Sequence, residues 1–160
     1  FIPPKKGRSH VLRIIREILY YQPKGTGTDI GGALEYFNRV IKRKSVVFLI
    51  SDFLGENYFK PLQIANNKHD IISVKITDPR ETVFENVGLI ELEDAETGEV
   101  FLVDTGSADF RREFSAKATE DATLLQRGFR MINVDFINVR TDRSYIIPLI
   151  NFFKMRERRL

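Results

Sequence analysis

Two hydrophobic periods alternate along the chain. HVLRIIREILYY, from His10 to Tyr21, places Val11, Ile14, Ile15, Ile18 and Leu19 at spacings of three and four, the apolar stripe of an amphipathic helix, and Gln22-Pro23 ends it. Asp29 to Lys42 repeats the pattern through Ile30, Ala33, Leu34, Phe37 and Ile41, with Lys42, Arg43 and Lys44 suited to the negative end of the helix dipole. The period then changes. Ser45 to Leu54, SVVFLISDFL, carries five consecutive apolar residues, which predicts a parallel strand buried on both faces that stops at Ser51-Asp52. A short helical stretch from Tyr58 to Lys68 leads into a second strand, HDIISVKIT, His69 to Thr77, which ends at Asp78-Pro79. Strand, helix, strand makes a right-handed crossover unit.

From Gly88 to Thr105, LIELED and EVFLVDT alternate apolar and polar residues around AETGE, a hairpin with Gly98 at its turn. Ser107 is placed to cap a helix whose face runs through Phe110, Phe114, Ala118, Leu125, Phe129 and Ile132 to about residue 133. DFINVR, Asp135 to Arg140, is a third strand of the main sheet. A last helix from Tyr145 to about Arg158 is expected to turn Ile146, Leu149, Ile150 and Phe153 inward. Such an alternation predicts a single α/β domain over residues 1–160, a three-layer α/β/α sandwich with a mostly parallel sheet. Ligands in such sheets sit at the carboxyl ends of the strands, where Asp52 and Asp78 fall.

Composition narrows the function classes. With 25 basic and 22 acidic residues interspersed, a net charge of +3 gives no field that argues for nucleic acid, and aromatic and basic residues do not interleave as a single-strand-binding face needs. The absence of cysteine excludes disulfides and thiolate metal sites and fits a reducing, cytoplasmic setting. No apolar run approaches the ~20 residues that span a bilayer. The chain begins at Phe1, and FIPP reads as a strand end entering a turn, so a piece of a longer chain is expected, with an upstream anchor left open.

The candidate chemistry is concentrated at two places. KGTGTDIGGAL, residues 24 to 34, follows a helix and lacks the Gly-Lys-Ser/Thr ending of a phosphate loop, and Ile30 stands where a dinucleotide fingerprint needs glycine. What remains is a hydroxyl and a carboxylate, Thr28 and Asp29, which read either as helix capping or as a ligand loop. Asp52, at a strand tip, reads either as a cap for the following loop or as a ligand. Together a threonine loop and a strand-end carboxylate suit Mg²⁺ better than Zn²⁺. His10 and His69 lie apart and read as surface or satisfied side chains, and Glu91 and Glu93 as solvated. The basic end KMRERRL reads as a solvated helix terminus or as a contact for an acidic partner or membrane surface.

In order, FIPPKKG, GTGTDIGGAL, VVFLISDFL, KHDIISVKITDPRE, LEDAETGEVFLVDT and NFFKMRERR resemble the bacterial domain-of-unknown-function family numbered 58, a branch of the von Willebrand factor A-like fold. The resemblance implies a metal-ion-dependent adhesion site in which Thr28 supplies the direct hydroxyl ligand and Asp52 the acid that holds Mg²⁺. The family's Asp-x-Ser-x-Ser loop is absent from these residues, so the domain is expected to be N-terminally truncated, with the hairpin as an insertion and only weak Mg²⁺ binding. The implied strand order leaves Val46 to Ile50 as an open edge, able to pair with a second copy. The implied function is divalent-cation-dependent protein binding, in company with a MoxR-type AAA+ ATPase. A Mg²⁺-dependent phosphoryl-transfer enzyme, with Asp78 and Arg80 as further candidates, and a metal-free structural assembly module are the competing classes.

Overall fold

In the computed structural model, which describes residues 1–22, 27–94 and 98–158, the elements follow one another as α1 (Arg8–Tyr20), α2 (Ile30–Val40), β1 (Val46–Ser51), α3 (Phe59–Asn66), β2 (Asp70–Thr77), a 3₁₀ turn (Pro79–Glu81), β3 (Leu89–Glu93), β4 (Val100–Asp104), α4 (Ala108–Met131), β5 (Asp135–Arg140) and α5 (Ile146–Glu157). The main sheet is parallel throughout, in the order β1-β2-β5. Its register stacks Leu49, Ser73 and Phe136 on one rung and Ser51, Lys75 and Asn138 two residues further along. β3 and β4 form a separate antiparallel pair, and Gly98, shortly before β4, holds φ 72°, a conformation glycine adopts without steric cost.

Side-chain parity decides the two layers. Ile71 of β2 joins Leu34, Leu62, Phe129 and Val134 in a core under α2, α3 and α4, whereas Ile72, Val74, Ile137 and Val139 form a second core under α5 through Phe152. Asn66, at the end of α3, ties three elements. Its amide donates to the carbonyls of Ile132 (3.3 Å) and Asn133 (3.0 Å), and its oxygen accepts from Ile71 N (3.3 Å). Ser107 caps α4 as its position suggests, accepting from Phe110 N at 3.3 Å.

Four expectations are corrected. β1 is not buried on both faces: Val47 and Leu49 pack on the first core, but Val46 and Ile50 remain 60% and 64% exposed. The cause is its place at the sheet edge, with α5 seated over β2 and β5. α5 is also turned from the expected face: Leu149, Phe152 and Arg156 point to the sheet, while Ile146, Ile150 and Phe153 are about half exposed and lean toward β1, Phe153 lying 6.3 Å from Phe48. Of the basic end, Arg156 turns inward, while Lys154 and Arg158 stay exposed. Arg156 donates to both carboxylate oxygens of Asp70 (2.8 and 2.7 Å) and pairs with Asp135 (3.4 Å), joining α5 to the first residues of β2 and β5. His69 is not satisfied either. It is buried edge-on against Phe37, and neither ring nitrogen has a hydrogen-bond partner.

Among the described residues no strand pairs with the free side of β1, and the hairpin does not cover it. α1 buries none of its residues, its apolar stripe included. An apolar edge without lysine, proline or bulge recruits other strands. We expect the chain to associate with rising concentration in light scattering, and Ile50→Lys to suppress this while shifting the unfolding free energy by less than about 0.5 kcal/mol, as suits an exposed site. Gly128 tests the opposite regime. A Cβ there would lie 2.5 Å from Phe59 Cζ, so Gly128→Ala should cost about 1 to 3 kcal/mol in denaturant titration, because the ring must leave its contacts with Tyr58 and Phe129.

Candidate functional site

The carboxyl edge of β1 is built by backbone-capping carboxylates. Asp29 is the N-cap of α2, its Oδ1 accepting from Gly32 N at 2.7 Å, and a Cβ on Gly32 would collide with that carboxylate. Capping therefore takes Asp29 and leaves Thr28 as the loop residue just outside the helix. Both are exposed, whereas Ile30 is buried beneath them. Lys24 to Thr26, the first part of the glycine-rich stretch, lie outside the described residues.

Asp52 leaves β1 in a tight turn. Leu54 N (3.2 Å) and the Ser51 hydroxyl (3.3 Å) donate to its Oδ1, and Phe53 N donates to Ser51 Oγ (3.1 Å). Both of these bonds go to Oδ1, and the residue as a whole is exposed. Phe53 holds φ 60°, a left-handed conformation that costs a bulky residue on the order of 1 kcal/mol or more. Its ring is clamped between Tyr58 (5.7 Å) and Phe129 (5.1 Å), which fixes the turn. The loop then folds back on the threonine loop: a Cβ on Gly55 would stand 3.3 Å from the Thr28 carbonyl and 3.7 Å from Ile30 Cδ1. The Thr28 and Asp52 loops are thus neighbours at one edge of the sheet.

The charge of Asp52 is felt inside the fold. Burial, with Asp52 as a second cause, pushes the Tyr58 phenol up from 10 to about 12. Around the same edge, Asp78 is spent on structure, Oδ1 accepting from Arg80 N (2.9 Å) and Oδ2 from the Thr141 hydroxyl (3.2 Å). Arg140 grips Asp142 with two bonds of 2.9 Å, which hold that carboxyl below its usual range. Among the described residues there is no group of three or more histidines, cysteines or acids able to hold a metal. The donors present are hard oxygens, the kind Mg²⁺ takes when it keeps most of its waters.

Sequence reasoning missed the polar half of the inner sheet face. Lys75 shares a rung with Ser51 and Asn138, and the Thr77 hydroxyl donates to Asn138 Oδ1 at 3.0 Å. The signal was present as alternation within HDIISVKIT, where Ile71, Ser73, Lys75 and Thr77 share one parity and Ile72, Val74 and Ile76 the other. The expectation for this segment is a strand ending at Asp78-Pro79, which makes no use of that alternation.

Comparison with known proteins adds kinship without chemistry. A family model described as "Protein of unknown function DUF58" matches residues 1–124. Uncharacterized proteins of Mycobacterium bovis and Mycobacterium tuberculosis are 29% identical over 162 residues, covering 98% of this chain and 50% of each relative. An uncharacterized protein of Mycobacterium avium is 30% identical over 162 residues, with 98% of this chain and 94% of that relative covered. The chain thus spans about half the length of the M. bovis and M. tuberculosis relatives. No solved structure matches.

Tyr58 gives this edge a measurable signature. Its phenol ionises near 10 in the unfolded chain and near about 12 in the fold. The unfolded state therefore holds fewer protons between those values, and stability falls as pH rises through them. The unfolding free energy from urea titration should be flat in this respect below pH 10 and then drop by about 2 to 3 kcal/mol by pH 12. Tyr58→Phe should lose that component of the alkaline decline.

Proposed function

The chain belongs to the DUF58 family, and from that membership and the geometry of its sheet edge we propose that it is a protein-binding module that engages its partner through a divalent cation at Thr28 and Asp52. The observation that supports the reading is the meeting of the two loops: a Cβ on Gly55, three residues beyond Asp52, would stand 3.3 Å from the Thr28 carbonyl, so the loop that carries the hydroxyl and the loop that carries the carboxylate touch at one edge of the sheet. Asp52 is held rigidly by the two donors on Oδ1, which orients the carboxylate without consuming both of its oxygens. Phe53, locked at positive φ between two rings, keeps that orientation fixed at a strain cost that a simple loop would not need.

Mg²⁺ bound there would supply a Lewis-acidic position that an acidic side chain of the partner completes. The chain's own part is to present the oxygens, to spend Asp29 on the helix and so leave Thr28 at the loop tip, and to bury Tyr58 and Phe53 beneath the site. Two donors hold a hydrated cation weakly. The partner we infer is a MoxR-type AAA+ ATPase acting in assembly or maturation of other proteins in the cytoplasm. That part rests on the family resemblance, and for a chain half the length of several relatives it concerns the whole protein.

Titration calorimetry with MgCl₂ should give only weak, millimolar-range heats, and Thr28→Ala should diminish them. Asp52→Asn retains an acceptor for Leu54 N and removes the charge. It should abolish the response while moving the unfolding free energy by no more than about 1 kcal/mol. An unchanged Mg²⁺ response in Asp52→Asn would overturn the assignment of this carboxylate.

A further inference from the structure

We propose that the trough between α4 and the carboxyl half of the main sheet binds a small ligand bearing an oxyanion, a carboxylate or a phosphate ester, with Lys75 as the residue that holds it. The trough exists because α4 is fixed only at its two ends. Phe110 and Phe114 pack on Phe84 with ring centroids 5.7 and 4.5 Å away, while Leu125, Phe129 and Ile132 enter the first core. The middle of the helix, from Ala118 to Gln126, bridges the sheet above Lys75, Thr77 and Asn138 and encloses about 460 Å³. That is the size of a small-molecule site.

The hydrogen-bonding inventory of the trough is what selects an anion. The hydroxyl protons are already used: Thr77 donates to Asn138 Oδ1 (3.0 Å), Thr82 to the Pro79 carbonyl (2.8 Å), Thr119 to Ser115 O (2.8 Å) and Thr123 to Thr119 O (2.8 Å). Because Asn138 accepts through its oxygen, its amide N–H groups are left to donate. The remaining donors on the wall are nitrogens, those of Lys75, Asn138 and Gln126 and the part of the Arg140 guanidinium that Asp142 does not take. Asp121, the acid of α4 on this wall, is taken by Lys117 at 2.9 Å, and Glu81 stands exposed at the mouth.

Lys75 differs from the other cations on the sheet. Arg140 is matched by Asp142 and Arg156 by Asp70 and Asp135, but Lys75, partly buried on the central strand, has no ion-pair partner among the described residues. Withdrawing an ammonium from water without a counter-charge is unfavourable, and a bound oxyanion removes that cost. One rung deeper on the same face, the Ser73 hydroxyl is fully buried with no hydrogen-bond partner, a second polar group the protein leaves unmatched.

The test uses the whole chain, amide NMR shifts at constant ionic strength, and two probes, inorganic phosphate and succinate, with chloride as the control salt. Saturable shifts are expected around Lys75, Gln126 and Asn138, and which probe saturates at lower concentration distinguishes phosphate ester from carboxylate. Lys75→Met, one atom shorter and uncharged, should weaken binding at least tenfold, whereas Lys60→Met on α3 should not change it. Asn138→Asp should weaken it comparably by placing a like charge in the trough. Asp52→Asn should leave it intact, so failure of the cation reading and failure of this one are separable. In the unmodified protein, the saturating probe should also slow acetylation of Lys75 relative to Lys60, which tests the site without any variant. No saturable shift with either probe, or wild-type binding by Lys75→Met, would overturn the proposal.

Discussion

The rest of the structure depends on β2 having to serve two layers at once. It is the central strand, paired on both sides, so every side chain it carries is committed to one helical layer or the other. Toward α5 it offers Ile72, Val74 and Ile76 and builds a uniformly apolar contact. Toward α2, α3 and α4 it offers Ile71, then Ser73, Lys75 and Thr77. The inner layer can therefore be a close-packed core only over the first half of the strand, where Leu62 and Phe129 close on Ile71. Beyond Ser73 the helices have no apolar surface to follow, and α4 rises away from the sheet.

From that one switch of polarity the two ends of the sheet acquire different characters. At the amino end, Arg156 binds Asp70 and Asp135, so charge is neutralised within the protein and the helix end is tied down. At the carboxyl end, carboxylates are spent on backbone N–H groups instead: Asp29 on Gly32, Asp52 on Leu54, Asp78 on Arg80. Asp78 gives its second oxygen to the Thr141 hydroxyl as well, whereas the bonds to Asp52 all go to one oxygen. The positive groups nearby are either engaged, as Arg140 is, or unmatched, as Lys75 is. One end of the sheet is closed by ion pairs and the other presents oriented charge to solvent.

How much of this the sequence disclosed follows the same division. The helical stripes, the three parallel strands, the hairpin and the Ser107 cap could be read directly, because period and cap chemistry act locally. The phase of α5 could not: Ile146, Leu149, Ile150 and Phe153 form as plausible a stripe as Leu149, Phe152 and Arg156, and the choice depends on Asp70 and Asp135, far away in sequence. The exposure of β1 was hidden for a related reason, since five apolar residues in a row look alike in a central strand and at an edge. At the site, Thr28 and Asp52 were legible as chemistry, whereas the reservation of Asp29 for capping and the approach of Gly55 to Thr28 required the fold. Lys75 was missed because the run IISVKIT was read for its apolar residues and not for the parity of its polar ones.

The unmatched groups can be ordered by what their burial demands. His69 and Ser73 are buried without partners, yet both have neutral forms, so each costs only the loss of hydrogen bonds, about 1 to 3 kcal/mol, and asks for nothing from outside. Lys75 is less buried but carries charge, and charge in a concave polar trough is relieved only by water or by an anion. Asp52 is more exposed still, and its free oxygen is well hydrated without any cation. The demand for a ligand is therefore stronger at Lys75 than at Asp52, even though the aspartate stands at the more conspicuous position, the tip of an apolar strand. The two groups lie on adjoining strands, since Ser51, next to Asp52, is paired in register with Lys75.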